Sequence, residues 1–338
     1  MGRIAVMGAG SIGCYVGGRL AAAGADVVLI GRERLGREIA AHGLRLSDYR
    51  GASIVLRPNQ LTYATAVTAA AEADLILVTV KSAGTAGAAQ ELARTLPSDA
   101  IVISLQNGLG NASTLRQHLP TQTVLAGMVP FNVVQRGEGA FHQGTEGDLE
   151  VEWHLRLAAY AAVFECAGLP LQRHDDLCPV QWAKLLLNLN NPVNALSDLP
   201  LKQQLSQRAY RRCLALAQRE GLDLLAVSGI VPARLTRLPA RWIPRVLDLP
   251  DTVFRLVAAG MLAIDPLARS SMWEDLQAGR TTEIDWINGE IVHLAERLGR
   301  TAPVNATLVA LVHAAEQGGR RQWGGAELLA HLKQAADT

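Results

Sequence analysis

The sequence predicts an α/β chain in which a doubly wound parallel sheet is followed by an all-helical domain. Three observations carry that prediction. An apolar strand, Arg3 to Met7, runs through Gly8-Ala9-Gly10-Ser11-Ile12-Gly13 into a helix-patterned segment that ends near Ala23. Short β-branched runs then alternate with helical patterns as far as about residue 130, as a parallel sheet covered on both faces requires. After about residue 176 the β signals disappear and long helical patterns take over.

The first observation also carries chemistry. A G-x-G-x-x-G run between a strand and a helix is the dinucleotide fingerprint of the Rossmann-type sheet in its proper context. Gly8 permits the tight turn, Gly10 lets the backbone approach a pyrophosphate, and Gly13 lets helix pack on strand. The first helical N–H groups, those of Ser11 and Ile12 among them, meet the phosphates with the positive end of the helix dipole. A second apolar strand, Val27 to Ile30, ends at Gly31-Arg32, where an NAD-binding chain usually carries an acid for the ribose hydroxyls. A guanidinium there can fork onto a 2′-phosphate, so NADP(H) is the expected cofactor.

A helical pattern over 33–42 follows, and the sheet continues with Leu75 to Val80, Ile101 to Leu105 and Val124 to Met128. Between these runs lie helical patterns near 83–95 and 110–118. Ligands of such sheets bind outside the carboxyl ends of the strands, which places Lys81-Ser82 and Gln106-Asn107-Gly108 at the cofactor crevice. Pro130 to Glu152 reads as antiparallel strands with turns at Gly137-Glu138-Gly139 and 144–147, extending the sheet. A helix near 154–167 and a strand near 170–174 finish a first, dinucleotide-binding domain over 1–175, leaving 176–338 as a helical substrate-binding domain.

That second domain begins with a helix from Val180 to Asn191 and another near 202–220. Asp198-Leu199-Pro200, Leu238-Pro239, Ile243-Pro244, Leu249-Pro250 and Asp265-Pro266 punctuate it, because helices tend to stop before the residue preceding proline. No boundary is assigned between about 225 and 268. Helices near 269–278 and 283–298 are clearer, with Thr282 as N-cap of the second. After Gly318-Gly319 only a short amphipathic tail is expected.

Composition narrows the function classes. A chain of 338 residues exceeds the size at which one core keeps growing. Its 32 Lys and Arg against 31 Asp and Glu give a net charge of +1, which favours neither a nucleic-acid nor a membrane partner. Cys14, Cys166, Cys178 and Cys213 form no C-x-x-C pair and the 8 histidines no H-E-x-x-H, so neither a metal site nor a disulfide framework is expected. Reduced cysteines, no signal peptide and no apolar run of membrane-spanning length point to the cytoplasm.

Two groups in the helical domain have reactive potential. Lys184 and Asn188 sit four residues apart, on one face of a helix made apolar by Leu185, Leu186, Leu187 and Leu189. A lysine there is either a partly desolvated proton donor with a lowered pKa or a side chain snorkelling at a helix edge. Ser271 and Glu283, on either side of the turn at Gly279, either bind a polar acid substrate or cap their helices.

The glycine loop, Val80-Lys81, Gln106-Asn107-Gly108, Lys184 with Asn188, and Ser270-Ser271-Met272 with Thr282-Glu283-Ile284-Asp285 occur in order along nearly the whole chain. Together they resemble the ketopantoate reductase (2-dehydropantoate 2-reductase) family, NADPH enzymes that make pantoate for coenzyme A synthesis. The resemblance implies a C-terminal domain like that of 6-phosphogluconate dehydrogenase. It also implies reduction of 2-dehydropantoate to D-pantoate, with Lys184 as general acid and Glu283 as the essential carboxylate. Ser271 would then hold the substrate carboxylate and Asn188 would lie on the substrate side. Asn107 would bridge nicotinamide and lysine, and Lys81 would lie near the adenosine ribose or phosphate. One departure stands out: the family's second asparagine two turns after the lysine, followed by proline, is one residue short here, and Asn191 beside Pro192 is its best match. A small 2-keto acid is the expected partner, and a homodimer is compatible with the sequence. The competing readings are a D-2-hydroxyacid dehydrogenase acting on another 2-keto acid such as benzoylformate, and a non-catalytic NADPH-sensing protein.

Overall fold

In a computed structural model that describes residues 2–258, 262 and 266–337, the chain divides after Leu177 into two compact units. The first opens with β1 (Arg3–Met7), α1 (Ser11–Ala22), β2 (Val27–Ile30) and α2 (Glu33–His42), as the sequence predicts. Three short strands follow that the sequence pattern does not announce: β3 (Leu44–Asp48), β4 (Ser53–Leu56) and β5 (Thr62–Ala64). Then come β6 (Ala73–Val78), α3 (Thr85–Ala93), β7 (Ile101–Ser104), α4 (Asn111–His118) and β8 (Thr123–Met128). The unit ends with β9 (Val133–Gly137), β10 (Ala140–Gln143), β11 (Leu149–Glu152), α5 (Ala158–Cys166) and β12 (Leu171–His174).

The main sheet has the order β12-β11-β8-β7-β6-β1-β2-β5, with the six strands from β8 to β5 parallel. Its strands are apolar on both faces because both faces are covered. Ile4, Val6, Leu29, Leu75 and Leu77 enter one core, while Ala5, Met7, Val28, Ile76 and Val78 enter the other. The chain runs outward from β1 through β2 in one direction and through β6 in the other, so the carboxyl ends of β1 and β6 flank a topological switch point.

The expectation that 130–152 extends this sheet holds only for β11, which pairs antiparallel with β8. β9 and β10 form the predicted hairpin but belong to a separate four-stranded sheet, β4-β3-β10-β9, in which β10 lies parallel to β3. This small sheet needs the alternation in Leu44-Arg45-Leu46, whose leucines are buried while Arg45 is exposed. It covers the far side of α1. A Cβ at Gly17 would come within 2.5 Å of Leu29 on the main sheet, and one at Gly18 within 2.5 Å of Leu44 on the small one.

The described residues of the second unit form helices and no strands: α6 (Cys178–Asn188), α7 (Asn190–Ser197), α8 (Leu201–Leu205), α9 (Arg208–Val227), α10 (Ile243–Leu247), α11 (Asp251–Val257), α12 (Ser271–Gln277), α13 (Ile284–Arg297), α14 (Pro303–Glu316) and α15 (Gly325–Ala336). The single helix predicted from Val180 to Asn191 is broken at Leu189 (φ −58°, ψ −11°). Pro192 explains the break: it has no N–H for the Asn188 carbonyl, and its ring is tolerated only in the first turn of a new helix. The tail after Gly319 is not peripheral. α15 packs on α9 and α14 and buries Leu328, Leu329 and Leu332. No helix among the described residues is long and apolar enough to cross a membrane.

The proline-rich stretch between α9 and α12 has an order the sequence hides. Pro239 caps a short 3-10 turn (Ala240–Trp242), Pro244 is the second residue of α10, and Pro250 caps α11, so each proline starts a segment as well as ending one. Asp265, half of another predicted break, lies outside the described residues. These segments are gathered by Arg211 of α9, which is fully buried. Its guanidinium donates to the carbonyls of Leu205 (3.0 Å), Leu247 (3.0 Å) and Leu249 (2.7 Å), pairs with Asp251 (2.9 Å) and lies 4.0 Å over the Phe254 ring. Buried charge is tolerated here because its hydrogen bonds are made.

The glycines at the start of α1 differ in what surrounds them. A Cβ at Gly13 would lie 2.4 Å from the Gly8 carbonyl oxygen and 2.6 Å from Thr79 Oγ1, whereas one at Gly10 would meet nothing nearer than 4.0 Å. Gly13→Ala is therefore expected to cost about 1–3 kcal/mol in urea unfolding through overpacking, while Gly10→Ala leaves stability near that of the parent. Equal stability of the two variants would contradict this placement of α1.

Candidate active site

The first candidate region is the turn after β1. Gly8 has φ +108°, a conformation L side chains rarely adopt, and a Cβ there would lie 2.5 Å from the backbone nitrogen of Val80. The N–H groups of Gly8 and Ala9 both donate to the Ile30 carbonyl, at 3.0 and 2.8 Å, so β2 anchors the turn. Thr79 Oγ1 donates to the Gly8 carbonyl at 2.7 Å, anchoring it from the β6 side. Gly10 is the N-cap of α1, and no side chain caps the helix. Half-buried Ser11 and Ile12 form its first turn. The result is a concave backbone surface with amide donors at a helix N-terminus and open space at Gly10, which suits an anionic diphosphate.

Arg32 is the exposed N-cap of α2, at the carboxyl end of β2, and its carbonyl accepts from Tyr63 at 2.8 Å. On the same helix Arg34 pairs with Glu38 (3.4 Å) and Arg37 with Glu33 (3.3 Å). Arg32 itself is exposed.

β6 ends at Val78 rather than Val80, so Lys81 stands three residues beyond it as the exposed cap of a 3-10 turn (Ser82–Gly84) leading into α3. Asn107 and Gly108 follow β7, with Gly108 at φ +85°. A buried polar network supports them. The Asn107 carbonyl accepts from Ser82 Oγ (3.0 Å) and Asn111 Nδ2 (2.5 Å). Thr85 Oγ1 donates to Asn111 Oδ1 (2.7 Å), and Gln106 Nε2 donates to Thr85 Oγ1 (2.7 Å) and the Val80 carbonyl (2.9 Å). Ser104 Oγ closes the network on Gln106 Oε1 (2.9 Å). The sequence pattern places Ser82 and Gln106 at this crevice but does not single out Thr85, Ser104 or Asn111. Their only signal is an excess of small polar residues at two adjacent strand ends.

In the second unit, Lys184, Leu187, Asn188 and Asn191 form a half-buried stripe, while Trp182, Ala183, Leu185, Leu186, Leu189 and Asn190 are buried. Burial pushes the Lys184 ammonium down to about 8 from its ordinary value near 10.5.

The crowded asparagines sort themselves by partner. Asn190 and Gln204 exchange amide hydrogen bonds of 3.2 and 3.1 Å. Fully buried Asn194 donates to the Leu199 carbonyl (2.9 Å) and accepts from the Ser270 N–H (2.9 Å). Both are committed to structure, leaving Asn188 and Asn191 as the half-buried pair. Asn194 also draws the start of α12 against α7, where Ser270 Oγ donates to the Asn191 carbonyl at 3.3 Å. Of the two serines, Ser270 is the buried N-cap, accepting from the Trp273 N–H at 3.2 Å, and Ser271 is exposed in the first turn. Glu283 is the half-buried N-cap residue of α13. Thr282, the predicted cap, precedes it and accepts from the Ile284 N–H at 3.2 Å.

The structure thus gathers Gly8, Gly10, Ser11, Ile12, Gly13, Arg32, Lys81, Asn107 and Gly108 at the carboxyl end of one sheet. It brings Ser270, the residue before Ser271, to the Asn191 carbonyl on α7, while Lys184 and Asn188 lie on the preceding helix α6. Among the described residues no group of three or more His, Cys, Asp or Glu is arranged to hold a metal ion. Asn194→Ala is expected to destabilise the protein by about 1–3 kcal/mol, because the buried Ser270 N–H and the half-buried Leu199 carbonyl lose their partner. A lowered urea midpoint at unchanged slope is the predicted reading, and an unmoved midpoint would remove Asn194 as the link between α7 and α12.

Comparison with known proteins places this arrangement. The profile of ketopantoate reductase PanE/ApbA matches residues 4–154, and that of its C-terminal part matches residues 176–316. A 2-dehydropantoate 2-reductase of Halobacterium salinarum is 31% identical over 322 residues, covering 90% of this chain and 96% of its own. The crystal structure of a PanE/ApbA family ketopantoate reductase from Ralstonia eutropha superposes with a TM-score of 0.80 at 32% identity, covering 94% of this chain and 99% of its own. A D-mandelate dehydrogenase solved with NADH and anilino(oxo)acetate shares the fold, with a TM-score of 0.75 at 22% identity over 94% of this chain and 99% of its own.

Proposed function

Because the chain belongs to the ketopantoate reductase family PanE/ApbA, a family of oxidoreductases, we propose that it reduces 2-dehydropantoate to D-pantoate with NADPH, a step towards pantothenate and coenzyme A. The observation that carries this reading is Lys184: a lysine desolvated in an apolar helix face, with its ammonium near the pH at which it can both hold and release a proton.

The residues of the first unit fit a nicotinamide dinucleotide, since the turn at Gly8 and the uncapped start of α1 form a cradle that a Cβ at Gly10 would begin to fill. The pyrophosphate is assigned to the amides from Ser11 to Gly13, the 2′-phosphate to Arg32, and the adenosine ribose or phosphate to Lys81. Asn107 and Gly108, braced by Gln106 and Asn111, are assigned to the nicotinamide end. When bound, that cofactor supplies the hydride for the carbonyl carbon.

The second unit supplies the rest. Lys184 Nζ donates its proton to the carbonyl oxygen as negative charge develops there, and a cation in a desolvated setting stabilises that charge far more than it would in water. Glu283 hydrogen-bonds the substrate and the active-site network. The Ser271 hydroxyl holds the substrate carboxylate, and Asn188 and Asn191 orient the remainder. Gly10→Ala is expected to weaken NADPH binding without unfolding the protein, which separates this cradle from a structural turn.

Lys184→Ala is expected to lower turnover by about 10²- to 10⁴-fold with a smaller effect on NADPH affinity. The sign of the pH effect follows from donation. The reduction needs the ammonium form, which dominates below its pKa, so kcat/KM for the keto acid is flat at lower pH and falls as pH rises through about 8. A variant with full turnover, or an alkaline limb that survives Lys184→Ala, excludes Lys184 as donor. Arg32→Asp should raise the KM for NADPH far more than that for NADH, because a carboxylate then faces phosphate. Equal changes take Arg32 out of the site.

The deciding assay follows the loss of NADPH absorbance with a panel of 2-keto acids, 2-dehydropantoate and benzoylformate among them. Turnover of 2-dehydropantoate alone supports the whole reading. Turnover of another acid only keeps the chemistry and replaces the substrate, and NADPH binding without turnover of any acid rejects catalysis.

A further inference from the structure

Both nitrogens of the His313 ring, on α14, lie 2.9 Å from a carboxylate oxygen: Nδ1 from Oε2 of Glu316 and Nε2 from Oδ1 of Asp285. An ionised carboxylate can only accept, so both ring nitrogens donate and the ring is an imidazolium. The electrostatics agree. Glu316 first, and then Asp285, hold the His313 pKa above its ordinary value against the cost of burial. Burial pushes Glu316 up, but the Thr282 N–H and His313 together take it below the usual carboxylate range. The groups facing the ring are Asp285 from α13 and Glu316 from its own helix.

The second oxygen of Glu316 accepts from the Thr282 N–H at 2.7 Å. One imidazolium therefore holds two points of the same chain segment. It grips Asp285 directly, and through Glu316 it grips the backbone of Thr282. The Thr282 hydroxyl in turn holds the Ile284 N–H. The residue enclosed by these three fixed positions is Glu283, whose backbone (φ −103°, ψ 28°) lies outside the helix that follows it. Helix dipoles favour the same arrangement, with Asp285 in the first turn of α13 and His313 in the last turn of α14.

We propose that His313 is a positioning residue for Glu283, its imidazolium locking the segment that presents that carboxylate to the 2-keto acid. The assignment rests on the reading of Glu283 as the carboxylate of the reductase reaction. A fixed backbone on either side confines the Glu283 side chain to a few rotamers, and misplacement by about 1 Å can cost about 10²-fold in rate.

Four variants test it: Glu283→Gln, His313→Ala, His313→Gln and His313→Lys, each assayed for keto-acid kcat/KM with NADPH and for NADPH affinity by fluorescence titration. The expected result is an inactive Glu283→Gln, with His313→Ala and His313→Gln reduced about 10- to 100-fold in keto-acid kcat/KM at unchanged NADPH affinity. His313→Lys should recover most of the loss, because an ammonium can donate to both carboxylates while a neutral amide cannot keep two donors facing them. Native keto-acid kinetics in His313→Ala and His313→Gln, beside an inactive Glu283→Gln, overturn the positioning role and leave the function standing. Loss of NADPH affinity together with activity, unrepaired by lysine, makes His313 a general structural support and also overturns it. Native activity in Glu283→Gln removes the carboxylate's role and this assignment with it.

Discussion

Close approach of α1 to the strands beneath it is the constraint on which the first unit depends. The helix has sheet on both sides, and its small residues face both: Gly13 against the Gly8 carbonyl and Thr79, Gly17 against Leu29 and Val6, Gly18 against Leu44 and Leu46. Any larger side chain at these positions would push the helix away from the turn that starts it. Dispersion and apolar burial favour the contact, and the turn must accommodate it by reversing within Gly8 to Gly10. The open turn at the helix start is thus a by-product of packing, held in place by Ile30 and Thr79. Tyr15, donating to Gln143 at 2.8 Å, ties the same helix to the small sheet and completes the clamp.

In the second unit the equivalent role falls to groups that satisfy backbone atoms at helix ends. Glu220 accepts from the N–H groups of Val304 and Asn305 at the start of α14, and burial raises its pKa despite those donors. Arg211 does the complementary task for the carbonyls at the ends of α8 and α10 and at Leu249. Asn194 joins the end of α7 to the start of α12. Each is a buried polar side chain whose hydrogen bonds are made, the condition under which such groups favour one arrangement of short helices over others.

Much of the first unit was legible in the sequence because its central strands are buried on both faces, and the β-branched runs of β1, β2, β7 and β8 announce this without ambiguity. The edge is where legibility failed. β3, β4 and β5 are short, partly exposed and polar enough to pass for loop, and the pairing of β3 with β10 has no local signature. The continuous helix read through Asn191 failed for a different reason: the apolar pattern of Leu185 to Leu189 persists across a break made by a residue three positions later. At the site, Lys184 and Asn188 could be read from helical spacing. Asn190 and Asn194 could not be told from Asn191, since only their partners distinguish them. His313 gave no sign, because it sits in an apolar helix and one of its partners is 28 residues away.

The parallel pairing of β3 with β10 sets a condition on the order in which the chain can be completed. Arg45 pairs with Ala140, so the strand that closes the far side of α1 is nearly a hundred residues downstream of the one it joins. During synthesis at roughly 5–20 residues per second, the edge of β3 that receives β10 remains unpaired for about 5–20 seconds. Nascent chains in that interval present an unpaired strand edge, the feature that favours association between neighbouring chains. The compactness that protects the turn in the finished protein is gained late, and the vulnerable period of its biogenesis is set by the length of chain between two short strands.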